Sequence, residues 1–443
     1  MVWDNEVSLS GAAGTGKTYL TTKLVKKLKE KYHVTITAPT HKALQVLRQN
    51  LINDEIENVD TKTLQSFLNL RLTTDFDKGI QKFEPIKKSK DNDESRTDIL
   101  IVDESSMIGQ DLYDFIIKAI EKGRIKAVLF VGDEHQLLPI DSLDNKIFEV
   151  RNKYKLEKIV RQAQGSYIIT MATKARNIIQ SKNYISIKEF FDDAAFKDKV
   201  QFFSTTQSFY DDFCTPQTWA KQDKVIASFT NNDVDAHNRV IRQRYWEAQN
   251  IREIPTLLKG DKVIFQQANI INEKVVHQNS DIVELSSATK IFEENMQIYF
   301  WDCRDLNNKP FKVIDPSSNE RFKNILNKLA QDAKSENYHE VRTQKWKFFF
   351  TLKEFFIDVK YIYASTIHKL QGSTYETVYI DLSSIENMND KDLMFRLLYV
   401  ALTRASQTIK VLLPGNEDNS LAEYQNTILN SIDGQFKMFG IDL

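Results

Sequence analysis

The chain has 443 residues, too many for one ordinary core, so two to four domains are expected. Hydrophobic residues make up 41% and charged residues 27%, a soluble globular balance, and no apolar run reaches the roughly 18 residues that a membrane span needs. With 60 basic and 61 acidic residues the net charge is −1, which excludes a chain-wide basic field, so any nucleic-acid site must be local.

Met1 to Ser10 lacks the basic start and long apolar stretch of a signal peptide. The two cysteines, Cys214 and Cys303, have no metal-ligand spacing and read as buried free thiols in a reducing cytoplasm. Val7–Ser10 reads as a strand running into a glycine loop. Tyr19 to Lys31 has helical spacing, with Leu20, Leu24, Val25 and Leu28 on one face. A strand is predicted at Val34–Ala38 and a helix from His41 to Asn50. Residues 68–96 break the pattern: Leu70, Leu72 and Phe76, a turn at Asp77-Lys78-Gly79, then Ile80 and Phe83 predict a hairpin, followed by a charged loop. Ile99–Val102 and Ala127–Val131 are apolar strands that end at acidic loops. Continuous apolar strands between helices indicate a parallel sheet covered on both faces.

Val225–Ala227 and a helix from Asp233 to Gln249 open a second α/β core. Val263–Phe265, Ile282–Leu285 and Gln297–Phe300 predict a small β subdomain, and Ser318 to Ala333 a helix. Residues 361–413 return to the α/β pattern and end in the strand Lys410–Leu413. The expected architecture is α/β: two parallel-sheet cores, each with an insertion. Its divisions are 1–67 and 97–180 for the first core around a hairpin at 68–96, then 181–254 and 361–443 for the second around a β-barrel-like insertion with a helix at 255–360.

Gly11-Ala12-Ala13-Gly14-Thr15-Gly16-Lys17-Thr18 fits G-x-x-x-x-G-K-[ST] between a predicted strand and a predicted helix, the context that motif requires. Glycines let the backbone turn tightly so that its N–H groups face phosphates, and the helix N-terminus adds a favourable dipole. Lys17 can reach the β- and γ-phosphates of ATP, and the Thr18 hydroxyl can ligate Mg²⁺. Asp103 and Glu104 close an apolar strand; Asp103 is suited to hold the metal and Glu104 to orient or deprotonate the attacking water.

Beyond this point the residues resemble superfamily 1 helicases of the 5′-to-3′ branch, the RecD-like and Dda-like enzymes. Ala38-Pro39-Thr40-His41-Lys42-Ala43 resembles motif Ia, Asp103-Glu104-Ser105-Ser106-Met107 motif II and Gly132 to Pro139 motif III. Leu156 to Gln162 resembles motif IV, Ser365 to Gly372 motif V and Leu398 to Ala405 motif VI, in family order across most of the chain. The resemblance implies RecA-like cores, ATP bound in the cleft between them, and a motor on single-stranded DNA that acts at single-strand/duplex junctions. It also implies a cytoplasmic monomer, in a host cell if phage-encoded, that works with replication or repair proteins. Gln136 would sense the γ-phosphate, Arg161 and Arg404 would act as arginine fingers, and Gln371 and Gly372 would join the nucleotide site. Pro39, Thr40, His41, Thr63, Gln65, Thr230, Asn231, Thr366, His368 and Lys369 would face DNA, and Phe83, with Phe76 as alternative, would be the aromatic of a strand-separating pin. Most of these are uncharged, and hydroxyl and backbone groups can bind phosphates without a basic patch.

Two departures stand out. Only ten residues precede Gly11 and none is glutamine, whereas relatives carry a glutamine segment there that reads adenine. Either the sequence is a truncated form, or adenine recognition is weak or built differently. Gln65 stands where relatives often have histidine, and its amide can still hydrogen-bond, so a tuned contact is expected.

Overall fold

The computed structural model describes residues 5–75, 80–85, 96–138, 146–158, 166–215, 223–272, 274–386 and 388–413. The chain divides into two compact units, residues 1–164 with 253–362, and residues 165–252 with 363–443.

The first unit holds a six-stranded sheet in the order β3-β2-β6-β7-β1-β8, with every pairing parallel. Its strands are β1 (Glu6–Gly11), β2 (Val34–Ala38), β3 (Asp60–Thr63), β6 (Thr97–Val102), β7 (Ile125–Gly132) and β8 (Asn152–Leu156). The alternation of strand side chains explains why the central strands read as continuous apolar runs. Leu100, Val102, Val128 and Phe130 point to the face covered by the helix Gln110–Glu121, among Ile116, Ala119 and Ile120. Ile101, Val131 and Leu9 point to the opposite face, where the helices Lys17–Leu28 and His41–Asn53 supply Val25, Leu44, Leu47 and Leu51. Leu100 is fully buried, so truncation to alanine would cost about 2–5 kcal/mol.

β4 (Leu70–Asp75) and β5 (Ile80–Pro85) form the expected antiparallel hairpin, in the register Leu72↔Phe83. Leu70 roots it in the core beside Phe67 and Leu68. Phe76 and the turn at 77–79 lie outside the described residues.

The second unit holds a five-stranded sheet, β18-β10-β19-β20-β9, again parallel throughout. Here β9 is Gln201–Phe203, β10 Lys224–Ser228, β18 Ala364–Thr366, β19 Tyr375–Asp381 and β20 Ala405–Leu412. The helix Tyr167–Ser181, expected in the first core, belongs to this unit. Its Tyr167 hydroxyl accepts the Ile409 N–H (2.9 Å), which ties the helix to β20. The boundary therefore falls near residue 165 rather than 180.

Residues 253–362, inserted in sequence between the halves of the second sheet, group with the first unit. They form an antiparallel sheet of β16 (Pro310–Ile314), β15 (Ile298–Asp305), β14 (Ile282–Glu293), β11 (Lys262–Phe265) and β17 (Val359–Tyr361) in that order, with a small β12–β13 hairpin (Asn269–Ile271, Lys274–His277). The Ile357 N–H donates to the Lys312 carbonyl (2.7 Å), which draws the two edges towards the expected barrel-like closure. The helix expected at 318–333 is Asn319–Lys334, and a second helix, His339–Phe355, packs on it through Trp346 and Phe350 against Ala333. Among the described residues no helix is long and apolar enough to cross a membrane.

Candidate nucleotide and DNA site

In parallel sheets, loops at the carboxyl ends of strands form the binding edge. Among the described residues, the site residues expected in the first core, Phe83 apart, stand at or just after the carboxyl ends of β1, β2, β3, β6 and β7, and Thr230, Asn231, Thr366, His368 and Lys369 stand at or just after those of β10 and β18. In the first core this follows from register. Ser10 pairs with Gly132 and Val102 with Phe130, so the loops after β1, β6 and β7 leave the sheet side by side.

After β1 the chain turns through Gly14 (φ 80°) and Gly16 (φ 85°), a left-handed conformation that favours glycine. Gly16 is the N-cap of the helix that begins at Lys17. Thr15 Oγ1 donates to the Ala12 carbonyl (2.8 Å) and stiffens the loop. Gly11 must lack a side chain, since a Cβ there would sit 2.6 Å from Thr15 Oγ1 and 3.0 Å from Leu156 Cβ. The Lys17 ammonium folds over the loop and donates to the Gly11 and Ala12 carbonyls (2.6 and 3.1 Å). Thr18, the expected metal ligand, is exposed.

The Asp103 N–H donates to the Thr37 carbonyl (2.9 Å), which fixes the acidic loop to β2. Burial and the neighbouring Glu104 charge push the Asp103 carboxyl up to about 7, against the backbone N–H of Glu104 and the Lys17 charge. The two adjacent carboxylates and the Lys17 ammonium thus act on one another electrostatically. Mg²⁺ usually takes one or two protein oxygens and completes its shell with waters and phosphates. A Thr18–Asp103 pair fits that habit, and among the described residues no group of three or more His, Cys, Asp or Glu side chains could hold a metal ion alone.

Glu104 has φ 50°, a left-handed conformation that costs a non-glycine residue about 1–2 kcal/mol. It is the N-cap of the short turn Ser105–Met107, and its carbonyl accepts the Met107 N–H (3.1 Å). Gly132 makes room for this turn: a Cβ there would meet Ser105 Oγ at 2.7 Å and the Ser106 backbone nitrogen at 3.1 Å. Gln136 is buried in the loop after β7, where its N–H donates to the Asp133 carbonyl (3.1 Å).

The residues expected to face DNA form one device used twice. In the first core β2 and β3 are neighbours with Ala38 opposite Thr63. Thr40 caps the helix His41–Asn53, its Oγ1 accepting the Ala43 N–H (3.2 Å), and Thr63 caps Leu64–Phe67 by accepting the Ser66 N–H (3.3 Å). Gln65 Nε2 donates to the Pro39 carbonyl (3.4 Å) and binds the two turns together, and His41 is exposed beside them. In the second core β10 and β18 are neighbours with Ser228 opposite Thr366. Thr230 caps Asn231–Glu247 by accepting the Asp233 N–H (3.1 Å), and Thr366 caps Ile367–Leu370 by accepting the Lys369 N–H (3.4 Å). The cap geometry leaves the remaining first-turn N–H groups pointing outward, where an anion is favoured. His368 lies against Phe229 (centroids 6.1 Å apart), and burial lowers its pKa. Lys369 is exposed.

Arg404 is buried within the second core. Its guanidinium donates to the carbonyls of Val400, Leu370 and Ser373 and to Thr403 Oγ1, at 3.0–3.5 Å. It thereby fastens the end of the helix Lys391–Arg404 to the turn that carries Gln371 and Gly372. Gly372 has φ 73°, and Gln371 Nε2 is buried with no hydrogen-bond partner among the described residues. Arg161 lies outside the described residues. Phe83 is 43% exposed, on the hairpin that follows the Thr63-capped turn. One supporting residue was not foreseen: the carbonyl of Thr37 in β2 accepts the Asp103 N–H (2.9 Å), and its Oγ1 donates to the Ile101 carbonyl (3.1 Å).

Comparisons with known proteins agree with this layout. A family model described as an AAA domain matches residues 4–182, and one described as a UvrD-like helicase C-terminal domain matches 361–411; together they take in more than half of the chain. The ATP-dependent DNA helicase Dda of Enterobacteria phage T4 is 25% identical, over 90% of this chain and 92% of its own. A protein of Acanthamoeba polyphaga mimivirus is 24% identical over 91% and 94%. The ATP-dependent DNA helicase Pif1 of Campylobacter jejuni is 23% identical over 93% and 89%.

Proposed function

The chain belongs to the superfamily 1 helicases, and on that premise we propose that it hydrolyses ATP to move 5′ to 3′ along single-stranded DNA and to separate duplex at a junction. The observation that carries the reading is the sharing of one sheet edge. In the first core the phosphate loop, the Asp103–Glu104 pair and the capped turns of Thr40 and Thr63 all leave the carboxyl ends of strands in a single sheet. The Asp103–Glu104 loop, after β6, is thus one strand from the Thr40 turn after β2 and two from the Thr63 turn after β3.

Lys17 exchanges its loop carbonyls for the β- and γ-phosphates. Thr18 and Asp103 hold Mg²⁺, which when bound neutralises phosphate charge. Glu104, set in its strained turn, accepts the proton of the attacking water. Gln136 and Arg404 are assigned to the γ-phosphate, so that Arg404, already clasped to the Gln371–Gly372 turn, transmits the loss of that phosphate to the neighbouring Thr366–Lys369 segment. The capped threonine turns grip the DNA backbone without reading sequence. The hairpin with Phe83 serves as the pin.

The test is ATP hydrolysis with and without single-stranded DNA, together with unwinding of a tailed duplex by the same preparation. Hydrolysis stimulated by the strand, and unwinding that requires ATP, support the reading. Turnover indifferent to DNA would remove it.

A further inference from the structure

We propose that Glu134 and Lys155 form a positioning clasp that sets the loop of Gln136 against the phosphate loop. The inference rests on the ATP-site reading above, in which Gln136 is assigned to the γ-phosphate, and it names the residues that place Gln136.

The loop after β7 is shaped first from within. The His135 N–H donates to Asp133 Oδ1 (3.1 Å), and the Gln136 N–H donates to the Asp133 carbonyl (3.1 Å). The His135 ring is buried, with its nitrogens facing Asp133 Oδ1 at 3.4 Å and Glu134 Oε1 at 3.8 Å. These contacts lie within four consecutive residues. They give the loop a form without attaching it to a distant strand.

The clasp makes that attachment. Lys155 Nζ donates to Glu134 Oε1 (2.5 Å). Lys155 belongs to β8, which is not a neighbour of β7, because β1 lies between them. In register, Gly132 of β7, Ser10 of β1 and Lys155 of β8 stand in one row. Neighbouring strands are about 4.8 Å apart, so the pair reaches across the end of β1 between strands roughly 10 Å apart. The residue after Ser10 is Gly11, where the phosphate loop opens. The residue after Lys155 is Leu156, whose Cβ would lie 3.0 Å from a Cβ on Gly11. One end of the clasp therefore stands beside the residue packed on the phosphate loop, and the other stands two residues before Gln136. The pair joins the loop that holds the phosphates to the loop assigned to the last of them.

Magnitudes separate this role from a purely structural one. The two side chains are 40% and 34% exposed, so water and salt screen their attraction and the pair adds little to the stability of the fold. Position is the larger matter, since a group displaced by about an ångström can cost about a hundredfold in rate. Loss of the clasp should therefore be read in turnover, with folding and nucleotide affinity retained.

Lys155→Met, Glu134→Gln, their double variant and Lys155→Arg test it in the full 443-residue chain, with saturating single-stranded DNA. Lys155→Met and Glu134→Gln should each lower kcat by about five- to tenfold, with KM for ATP and ADP binding within about twofold of the parent. The double variant should lose no more than either single, as expected of two groups that act as one. Lys155→Arg should recover most of the rate, because a guanidinium can still pair with Glu134. In a Gln136→Ala background Lys155→Met should cost nothing further, since the clasp acts through Gln136. Parental kcat in either single variant would overturn the inference. So would losses that add in the double variant or in the Gln136→Ala background, failure of Lys155→Arg to recover the rate, or a melting temperature that falls in step with kcat. A parent chain with no Lys17-dependent hydrolysis would instead overturn the ATP-site reading, so the two failures are distinguishable.

Discussion

Phe83→Ala separates a wedge from a packing residue, and the structure sets the size of each effect. Full burial of a phenylalanine side chain contributes about 1.5–3 kcal/mol. Phe83 is 43% exposed, so its loss should cost about 1 kcal/mol and lower the melting temperature by only a few degrees. Replacing a base-pair stack is a larger matter. A base on an aromatic is worth about 1–3 kcal/mol, comparable with one step of DNA stacking at about 1.4 kcal/mol. Without the ring the separated pair loses that compensation, and unwinding should slow by about tenfold. Single-strand-stimulated ATPase should persist, since Phe83 is assigned to the duplex junction and not to the phosphate loop or to the capped threonine turns. Melting temperature, ATPase and unwinding are to be measured on one preparation. A parallel fall in all three would refute the wedge and show that the ring packs the hairpin.

Lys17→Ala should abolish hydrolysis, and near-normal DNA-stimulated turnover in that variant would remove the phosphate-loop assignment. Glu104→Gln should bind ATP and fail to turn it over, because the amide keeps the shape but cannot accept a proton; single-turnover assays decide. Gly132→Ala adds a Cβ within 2.7 Å of Ser105 Oγ and 3.1 Å of the Ser106 nitrogen, so the Glu104 turn must shift. Its kcat should fall at least about tenfold with ADP affinity retained, as expected when a catalytic group is displaced by about an ångström. Binding to single-stranded DNA should weaken only gently with salt, because hydroxyl and backbone groups outnumber lysines among the proposed contacts; a log–log slope equivalent to about eight phosphates would contradict them.

How much of this was legible in the sequence depends on where burial does the talking. The central strands β6 and β7 are covered on both faces and read as apolar runs, while β1 and β2 alternate apolar residues with buried Ser and Thr. The two edge strands went unread: Asp60–Thr63 and Asn152–Leu156 are polar and partly exposed, and their place is set by backbone pairing with β2 and β1. In the helix His339–Phe355 the buried pair Trp346 and Phe350 stands at helical spacing, but the exposed Phe348 and Phe355 blur the stripe. Its partner, Asn319–Lys334, shows more regular spacing and was foreseen. Tyr167–Ser181 was assigned to the wrong core because nothing in a helix names the sheet it will cover. The turn through Gly14 and Gly16 into the helix at Lys17 was legible because a glycine loop is a local device written within a few residues.

The central claim is directional strand separation driven by ATP. Duplexes bearing a 5′ tail, a 3′ tail or no tail, offered with ATP to the parent chain and to Lys17→Ala, test it most directly. The account predicts unwinding of the 5′-tailed duplex alone, and only by the parent. Unwinding confined to the 3′-tailed duplex, or strand-stimulated ATPase with no separation of either substrate, would contradict it.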